Sequence, residues 1–477
     1  MAVSAPSSRF LVRAAIAVLV AAYGAPAQSV YYVGPTGSNE KGNGSQASPW
    51  RDVAHAASAI PDDGSTIVVN DGIYTGRVRI HRRFSKKVVV RAANPYRAKL
   101  IATGEPVVTL YGAANVEVSG FEIAREPNAP GILLVHVQSS AENAAQNIVI
   151  RDNIIHDSYN NDLLKINNGA RNILVESNIF YNQSGPDEHI DINGVADVTI
   201  RDNIFFNDFE GSGRINTNAT ASFIVIKNSA GLPDNKRIQI RRNVFLNWQG
   251  SRGAGFVSIG EDGKPFHEAD DVLLENNLLI GNSPIAMRAP FTVKGAKNIT
   301  FRNNTITGSL PARAFGARLT AERLNPPNEN VRFYNNIWSS PGGMAPLLEG
   351  SPLANTGVVL SHNLYWNGGL PVSRGLSGHT DGASVAADPQ LPRPQRVVLP
   401  RWTGDGFASG SRVIRQEFER LVHTYGVPGT GSPVVNAALS GSAPADDILG
   451  RPRDSKPDIG AVEVHKNSVP GTTGTKP

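Results

Sequence analysis

Between Asn147 and Asp208 the chain repeats one phrase three times. The segments NIVIRDNIIHDSYNNDLLKINNGAR, NILVESNIFYNQSGPDEHIDINGVA and DVTIRDNIFFND each open with alternating apolar residues, Ile148/Ile150, Ile173/Val175 and Val198/Ile200. Each then sets an Asn before an apolar pair, at Asn153, Asn178 and Asn203. The steps are equal: 178 − 153 = 25 and 203 − 178 = 25. Self-similarity at a fixed period of this size marks an array of stacked units, none of which can bury its apolar face alone. Period-two strands parted by Gly and Asn turns, with no helical periodicity, make that array a parallel β-solenoid.

The same Asn recurs at Asn243, Asn277, Asn304, Asn336 and Asn363, in steps of 40, 34, 27, 32 and 27. A solenoid cannot widen its cross-section freely, so surplus residues leave the coil as loops. The largest surplus, 40 − 25 = 15, falls in the coil containing FEGSGRINTNATAS. One coil before the first clear repeat, NVEVSGFEI places Phe121 at the Asn position. The Asn itself reads as structural. It tolerates left-handed backbone and hydrogen-bonds main chain at turns, and one per coil stacks into a ladder of amides.

The 477-residue length would allow two or three domains, but one long solenoid uses it up more simply. There is no Cys, which excludes disulfides, thiolate nucleophiles and Cys-based metal sites. Residues 1–28 read as a secretory leader: Arg9 and Arg13 bracket the start of an apolar run that closes on Ala-Pro-Ala before Gln28. The run is too short for a comfortable membrane span and no other segment is long enough. The mature protein is therefore expected to be secreted or periplasmic, with no membrane association after cleavage, and monomeric. Loss of the leader lowers the net charge from +5 to 5 − 2 = +3. No Lys/Arg run is dense enough for nucleic acid, and the mild basicity is compatible with an acidic polymer.

From Val30 the chain reads YYVGPTGSNEKGNGSQASPWRDVAHAASAIPDDGSTIVVNDGIYTGRVRI. Val53, Ala56, Ala57 and Ile60 have helical spacing, and a short helix there would cap the open end of the solenoid. This opening, with its YYV strand, Gly/Ser-rich loop, GSTIVV and DGIY, resembles that of secreted right-handed parallel β-helix proteins. So does the ending, DILGRPRDSKPDIGAVE. The expected fold is all-β: a right-handed single-chain parallel β-helix over residues 29–370, with a short N-terminal capping helix. An irregular C-terminal segment, 371–465, should pack along or across the last coils and contain a helical patch near Val413–Leu421. Residues 466–477 form a disordered tail.

Solenoids bind on the outer face of one sheet, in a trough bounded by loops, so the outward side chains decide the chemistry. In DLLKINNG, Leu164 and Ile166 point in and Lys165 and Asn167 out. In DEHIDINGV, Ile190 and Ile192 point in, leaving His189, Asp191 and Asn193 out. In SFIVIKNS, Ile224 and Ile226 point in, leaving Val225 and Lys227 out. Aligning the inward residues puts Lys165 beside Asp191, and Asn167 beside Asn193 and Lys227. Asp162, Asp187 and Glu188 flank the preceding turns, and Arg214 sits in the longest loop. Lys264 and His267 in EDGKPFHEADD, and Arg288, Lys294, Arg313 and Arg318 in later coils, extend the candidate track. Trp248, Trp338 and Trp366 follow the ladder position and read as stacking of the solenoid edge, with Trp248 also placed to meet a sugar.

A long trough on an exported rod suits an extracellular polymer, most simply a polysaccharide. Two reactions fit. β-Elimination on a uronic acid needs its carboxylate neutralised by Ca²⁺ or Arg, and a Lys, His or Arg base at the neighbouring carbon; Arg214 is a further catalytic candidate. Asp162, Asp187, Glu188 and Asp191, with Asn167 or Asn193, would hold Ca²⁺, and Lys165 or His189 would act as base. Hydrolysis needs two carboxylates, here Asp191 with Asp187 or Glu188. The chain as a whole resembles β-helix polysaccharide lyases of the chondroitinase B/alginate lyase and pectate lyase kinds, which implies β-elimination. The same architecture also serves uronate epimerases and non-catalytic surface binding modules.

Overall fold

The computed structural model describes residues 1–2, 28–127, 129, 131–308, 310, 316–343, 348–372, 375–376, 378–393 and 397–465. Apart from Met1, Ala2 and Gln28, the expected leader lies outside these residues, as do the expected tail and Arg313.

The alternating segments form three parallel sheets that run the length of a right-handed β-helix. The back sheet has 13 strands from Val30–Val33 onward, the side sheet 12 from Gly72–Thr75 and the front sheet 10 from Val78–Ile80. One coil is Arg171–Glu176 in the back sheet, Ile179–Gln183 in the side sheet and Ile190–Asn193 in the front sheet. Each strand pairs with its counterpart one coil later, so chemically similar residues stack in files. Ile148, Ile173, Val198, Ile238, Val272 and Ile299 form one such file, all buried. Inside the side sheet, Phe180, Phe205 and Phe245 stack with centroids 5.1 and 4.9 Å apart. The coils thus share one continuous core.

The Asn ladder forms as expected, but the left-handed backbone sits one residue earlier. Asp152, Ser177, Asp202, Arg242, Asn276, Asn303, Asn335 and His362, each just before a ladder Asn, have φ between 51 and 58°. The sharp turn into the side sheet leaves main-chain groups unpaired, and the Asn amide serves them. Asn178 Oδ1 accepts from the backbone N–H of Asn153 at 3.0 Å and from its amide at 3.1 Å, while Asn178 Nδ2 donates to the Ile150 carbonyl at 2.9 Å. At the first rung the Phe121 N–H donates to Asn153 Oδ1, and at the last Asp381 accepts from Asn363.

Helix α1 (Val53–Ala59) caps the first coil with Val53, Ala56 and Ala57 inward. The C-terminal segment covers more than the last coils. Val434 and Ile459 do meet Ile337 and Leu364 there. Helix α2 (Ile414–Tyr425) instead lies on Ile154, Ile179, Ile204, Val244 and Leu278 in the middle of the side sheet. Further back, Trp402 Nε1 donates to Glu122 Oε2 at 3.1 Å and Arg97 pairs with Asp405 at 2.6 Å. The apolar pair after each ladder Asn explains this reach: Ile155 and Phe180 point inward, while Ile154 and Ile179 form an outward apolar file that must be covered.

Under this strap His156 is clamped between two carboxylates, Nδ1 at 2.8 Å from Asp157 Oδ2 and Nε2 at 3.2 Å from Glu122 Oε1. Its ring stacks on Tyr181 at 4.7 Å. Burial opposes its charge, but Asp157 and Glu122 outweigh burial and lift its pKa from 6.5 to about 9. Burial pushes Glu122 the other way, yet His156 and Lys99 bring it down to about 2.

Two outcomes follow. Asn203→Ala strands two buried main-chain groups of the preceding coil, the Asn178 N–H and the Val175 carbonyl, and should lower stability by about 2–4 kcal/mol in urea unfolding. Because the folded pKa of His156 lies above its ordinary value, its contribution is complete below pH 6.5 and is lost as pH rises through about 9. Unfolding temperatures measured from about pH 6 to 10 should therefore fall more steeply for the native chain than for His156→Phe.

Candidate functional site

The front sheet carries its chemistry in two outward files. One runs Arg79, Thr109, His136, Lys165, Asp191, Val225. The other, two residues on, runs Tyr111, Gln138, Asn167, Asn193, Lys227. Neighbouring members lie about 4.8 Å apart because that is the rung spacing of paired strands. Lys165 therefore meets Asp191 of the next coil, and the two are in direct ionic contact. Lys165 Nζ also lies 3.4 Å from Asp162 Oδ2. Lys227 Nζ lies 3.5 Å from Asp191 Oδ2 and 3.5 Å from Glu261 Oε2.

Beneath the two ammonium groups is a nest of carboxylates. Asp162 and Glu188 enter from the turns leading into the front sheet, and the Glu188 N–H donates to Asp162 Oδ1 at 3.1 Å. Ligand oxygens of Asp162, Glu188 and Asp191 all lie within 4.8 Å of one another, and the three residues are buried. Glu188 Oε2 and Asp191 Oδ1 are buried with no hydrogen-bond partner. Asp187 stands at the rim, half-buried.

The electrostatics show a site short of positive charge. Burial and the nearby Asp162 push Asp187 up to about 6. Burial, then Asp162, pushes Glu188 well above the carboxylate range. Burial also raises Asp191, against the pull of Lys227 and Lys165. Burial disfavours the charge on Lys165, but Asp191 and Asp162 more than offset it and its pKa rises. Lys227 is raised likewise, burial being outweighed by Glu188 and Asp191. Five carboxyls, those of Asp162, Asp187, Glu188, Asp191 and Glu261, surround the two ammonium groups of Lys165 and Lys227. Clustered carboxylate oxygens with orphaned lone pairs are the donor set of a hard divalent cation. Oxygens at about 2.3–2.6 Å from a calcium ion stand at most about 5 Å apart, which the nest satisfies.

Of the expected site residues, Lys165, Asp191, Lys227, Asp162, Asp187 and Glu188 converge. Asn167 is adjacent and its Oδ1 lies 3.1 Å from His136 Nε2. Asn193 is in file but held by Ser229 at 2.8 and 2.9 Å. His189, expected to face the groove, is fully buried. Its ring lies on Phe223 at 4.1 Å and its Nε2 is 3.1 Å from Asn207 Oδ1; burial drops its pKa to about 3. The strand begins at Ile190, so the in–out alternation does not extend to His189 in the turn. Arg214, a catalytic candidate in the longest loop, is spent elsewhere. It bonds Asp157 Oδ1, Asn182 O, Ser158 O and Ser184 Oγ at 2.7–2.9 Å and lies over the Tyr159 ring at 4.1 Å. It pins the long loop to the ends of the side-sheet strands.

Lys264 lies in a loop folded around Glu268, to which its backbone N–H donates at 3.2 Å. His267 Nε2 is 3.1 Å from the Pro327 carbonyl, at the corner where the chain enters the back sheet, so neither residue joins the nest. Arg288 is half-buried in the turn before the front-sheet strand Phe291–Lys294. Trp248 is in the core against Phe223 and Phe256, which removes it as a sugar platform. Two groups escaped the sequence reading. His136 lies in file with Lys165, and burial lowers its pKa despite the Asn167 bond. Glu261 pairs with Lys227. The alternation in LLVHVQ was a usable signal for His136.

No protein-family model and no curated protein sequence matches this chain. Among solved structures it is similar to a pectate lyase, Pel9A, at 14% identity over 92% of this chain and 97% of that one, with a TM-score of 0.53. It is also similar to XylC in complex with xylose, at 13% identity over 92% and 98% of the two chains, TM-score 0.52. At such identities the likeness is one of fold: these are right-handed parallel β-helices of matching length.

Proposed function

We propose that the front-sheet trough binds an acidic polysaccharide and cleaves it by β-elimination, in an exported protein. The observation that carries this reading is the buried carboxylate nest with orphaned oxygens directly beneath Lys165. Cation donors and a candidate base thus sit within one rung of each other. The fold shared with a pectate lyase supports it.

Asp162, Glu188 and Asp191 would hold Ca²⁺, which supplies the positive charge that neutralises a uronate carboxylate and acidifies the neighbouring C–H. In elimination a base takes that proton, its electron pair becomes a carbon–carbon double bond, and the bond to the glycosidic oxygen breaks. Lys165 is placed to take the proton. Bare carboxylates hold it protonated, and neutralising them removes that restraint. Lys227 binds the substrate carboxylate, and Asn167 and His136 flank the sugar. Asp187, whose carboxyl titrates near 6, delivers a proton to the departing oxygen.

The raised carboxyls of Asp187 and Glu188 favour a second reading, hydrolysis with Asp191 as base and Asp187 or Glu188 as acid. A panel of uronic-acid polymers separates the two. Elimination raises the ultraviolet absorbance of unsaturated uronate, hydrolysis yields reducing ends without it, and an epimerase or binding module yields neither. Lys165→Ala should lower kcat by about 10²–10⁴-fold, the usual worth of a positioned base; full activity in that variant would remove the lysine from the mechanism. Calcium at about 100 times its Kd should stabilise the protein by about 2.7 kcal/mol. Glu188→Gln and Asp191→Asn should abolish that gain in a thermal unfolding titration.

A further inference from the structure

The first coil carries a second site-like feature, some distance from the nest. Between the residues leading into α1 and the turn Thr75–Val78 lies a cleft of about 390 Å³, lined among others by Arg51, Asp52, His55, Ile73, Thr75 and Arg77. That volume falls in the range of small-molecule sites. Capping the solenoid accounts for the inward residues Val53, Ala56 and Ala57; it does not account for this outward face.

The cleft has fixed walls. Asn39 Oδ1 accepts from the backbone N–H groups of Arg51 and Asp52 at 3.0 and 3.1 Å, and Asn39 Nδ2 donates to Asp52 Oδ2 at 2.6 Å. Trp50, stacked on Tyr31 at 5.4 Å, meets the His55 ring edge-on at 5.7 Å. On the opposite wall Tyr74 Oη donates to the Asn70 carbonyl at 2.7 Å. Ile73 is 63% exposed, an aliphatic surface for the C–H face of a sugar ring. Arg51 is exposed. Arg77 pairs at 3.2 Å with Glu105, whose side chain is itself 62% exposed; such a pair is weak and readily exchanged for another carboxylate.

The cleft is also in line with the trough. Arg77 Nε donates to Thr109 Oγ1 at 3.2 Å, and Thr109 belongs to the outward file that runs through His136 to Lys165 and Asp191. The strand that follows Arg77, Val78–Ile80, is the first rung of the front sheet and that of Lys165 the fourth. Three rung spacings put the cleft about 14 Å from Lys165. A single polymer chain lying along the sheet would meet both.

From this geometry we infer that the Arg51/Arg77 cleft is a distal subsite that grips acidic sugar units of the chain occupying the trough. The inference rests on the polysaccharide reading of the trough and adds to it that binding extends toward the capped end. Arginine supplies planar two-pronged recognition of a carboxylate, and a remote contact of this kind raises affinity for long chains without touching the reacting bond.

The test compares the native chain with Arg51→Glu/Arg77→Glu and Arg51→Lys/Arg77→Lys, on polygalacturonate and polymannuronate and on their short oligosaccharides. KM and kcat are measured alongside retention in affinity gels, with neutral xylan as control. The charge-reversed variant should raise KM and weaken retention on long chains about threefold to tenfold, the size expected of two exposed charge contacts. It should leave kcat and the shortest cleaved oligosaccharide unchanged, and the lysine variant should recover most of the loss. If the native chain cleaves a polyuronate and charge reversal changes nothing at any length, or changes short and long substrates alike, the distal subsite is overturned while the trough reading stands. If the native chain neither cleaves nor retains any polyuronate, the trough reading falls and takes the subsite with it.

Discussion

Everything in this molecule depends on the rung spacing of parallel strand pairing. Once coils stack at about 4.8 Å, a residue has as its nearest neighbours its own counterparts one coil before and after. That relation makes the Asn amides a ladder, the aliphatic residues core files and Phe180, Phe205 and Phe245 a stack. It also brings Lys165 onto Asp191, a full coil further along the chain. A coil of different length keeps the register only by expelling the excess, as the long step from Asn203 to Asn243 does.

The three outward faces then divide according to what their files carry. The back sheet pairs its charges across rungs, Arg201 with Glu176 and both Arg241 and Arg302 with Glu275. The side sheet bears Ile154, Ile179, Ile204, Val244 and Leu278, an apolar stripe too long to leave in water. The C-terminal segment returns over it and is held by Trp402 on Glu122, the same carboxylate that His156 meets. The front sheet carries His136, Lys165 and Asp191 in one outward file and Asn167, Asn193 and Lys227 in the other.

Within the trough, the nest combines burial with like charge. Removing Asp162, Glu188 and Asp191 from water while leaving two oxygens unpartnered is unfavourable. Lys165 and Lys227 relieve only part of it, which is why Asp187, Glu188 and Asp191 all shift toward the neutral acid. Such tension is uncommon at a purely structural position, where buried polar groups are satisfied. The contrast with Glu268 is instructive: it is equally buried, but four backbone N–H groups and Asn325 complete it.

Read alone, the amino-acid order determined the solenoid, its ladder, the cap and the adjacency of Lys165 with Asp191 and of Asn167 with Asn193, because alternation and period are local and the rung spacing is universal. It did not determine where alternation stops. His189, one residue outside its strand, turned inward onto Phe223. Nor did it determine where loops go: Arg214, Lys264 and His267 are placed by partners that only the folded chain brings near. The left-handed residues before each ladder Asn, the reach of the C-terminal strap and the depth of the carboxylate nest were likewise decided by tertiary packing. Burial and desolvation are properties of the assembled coils and have no counterpart in a single strand.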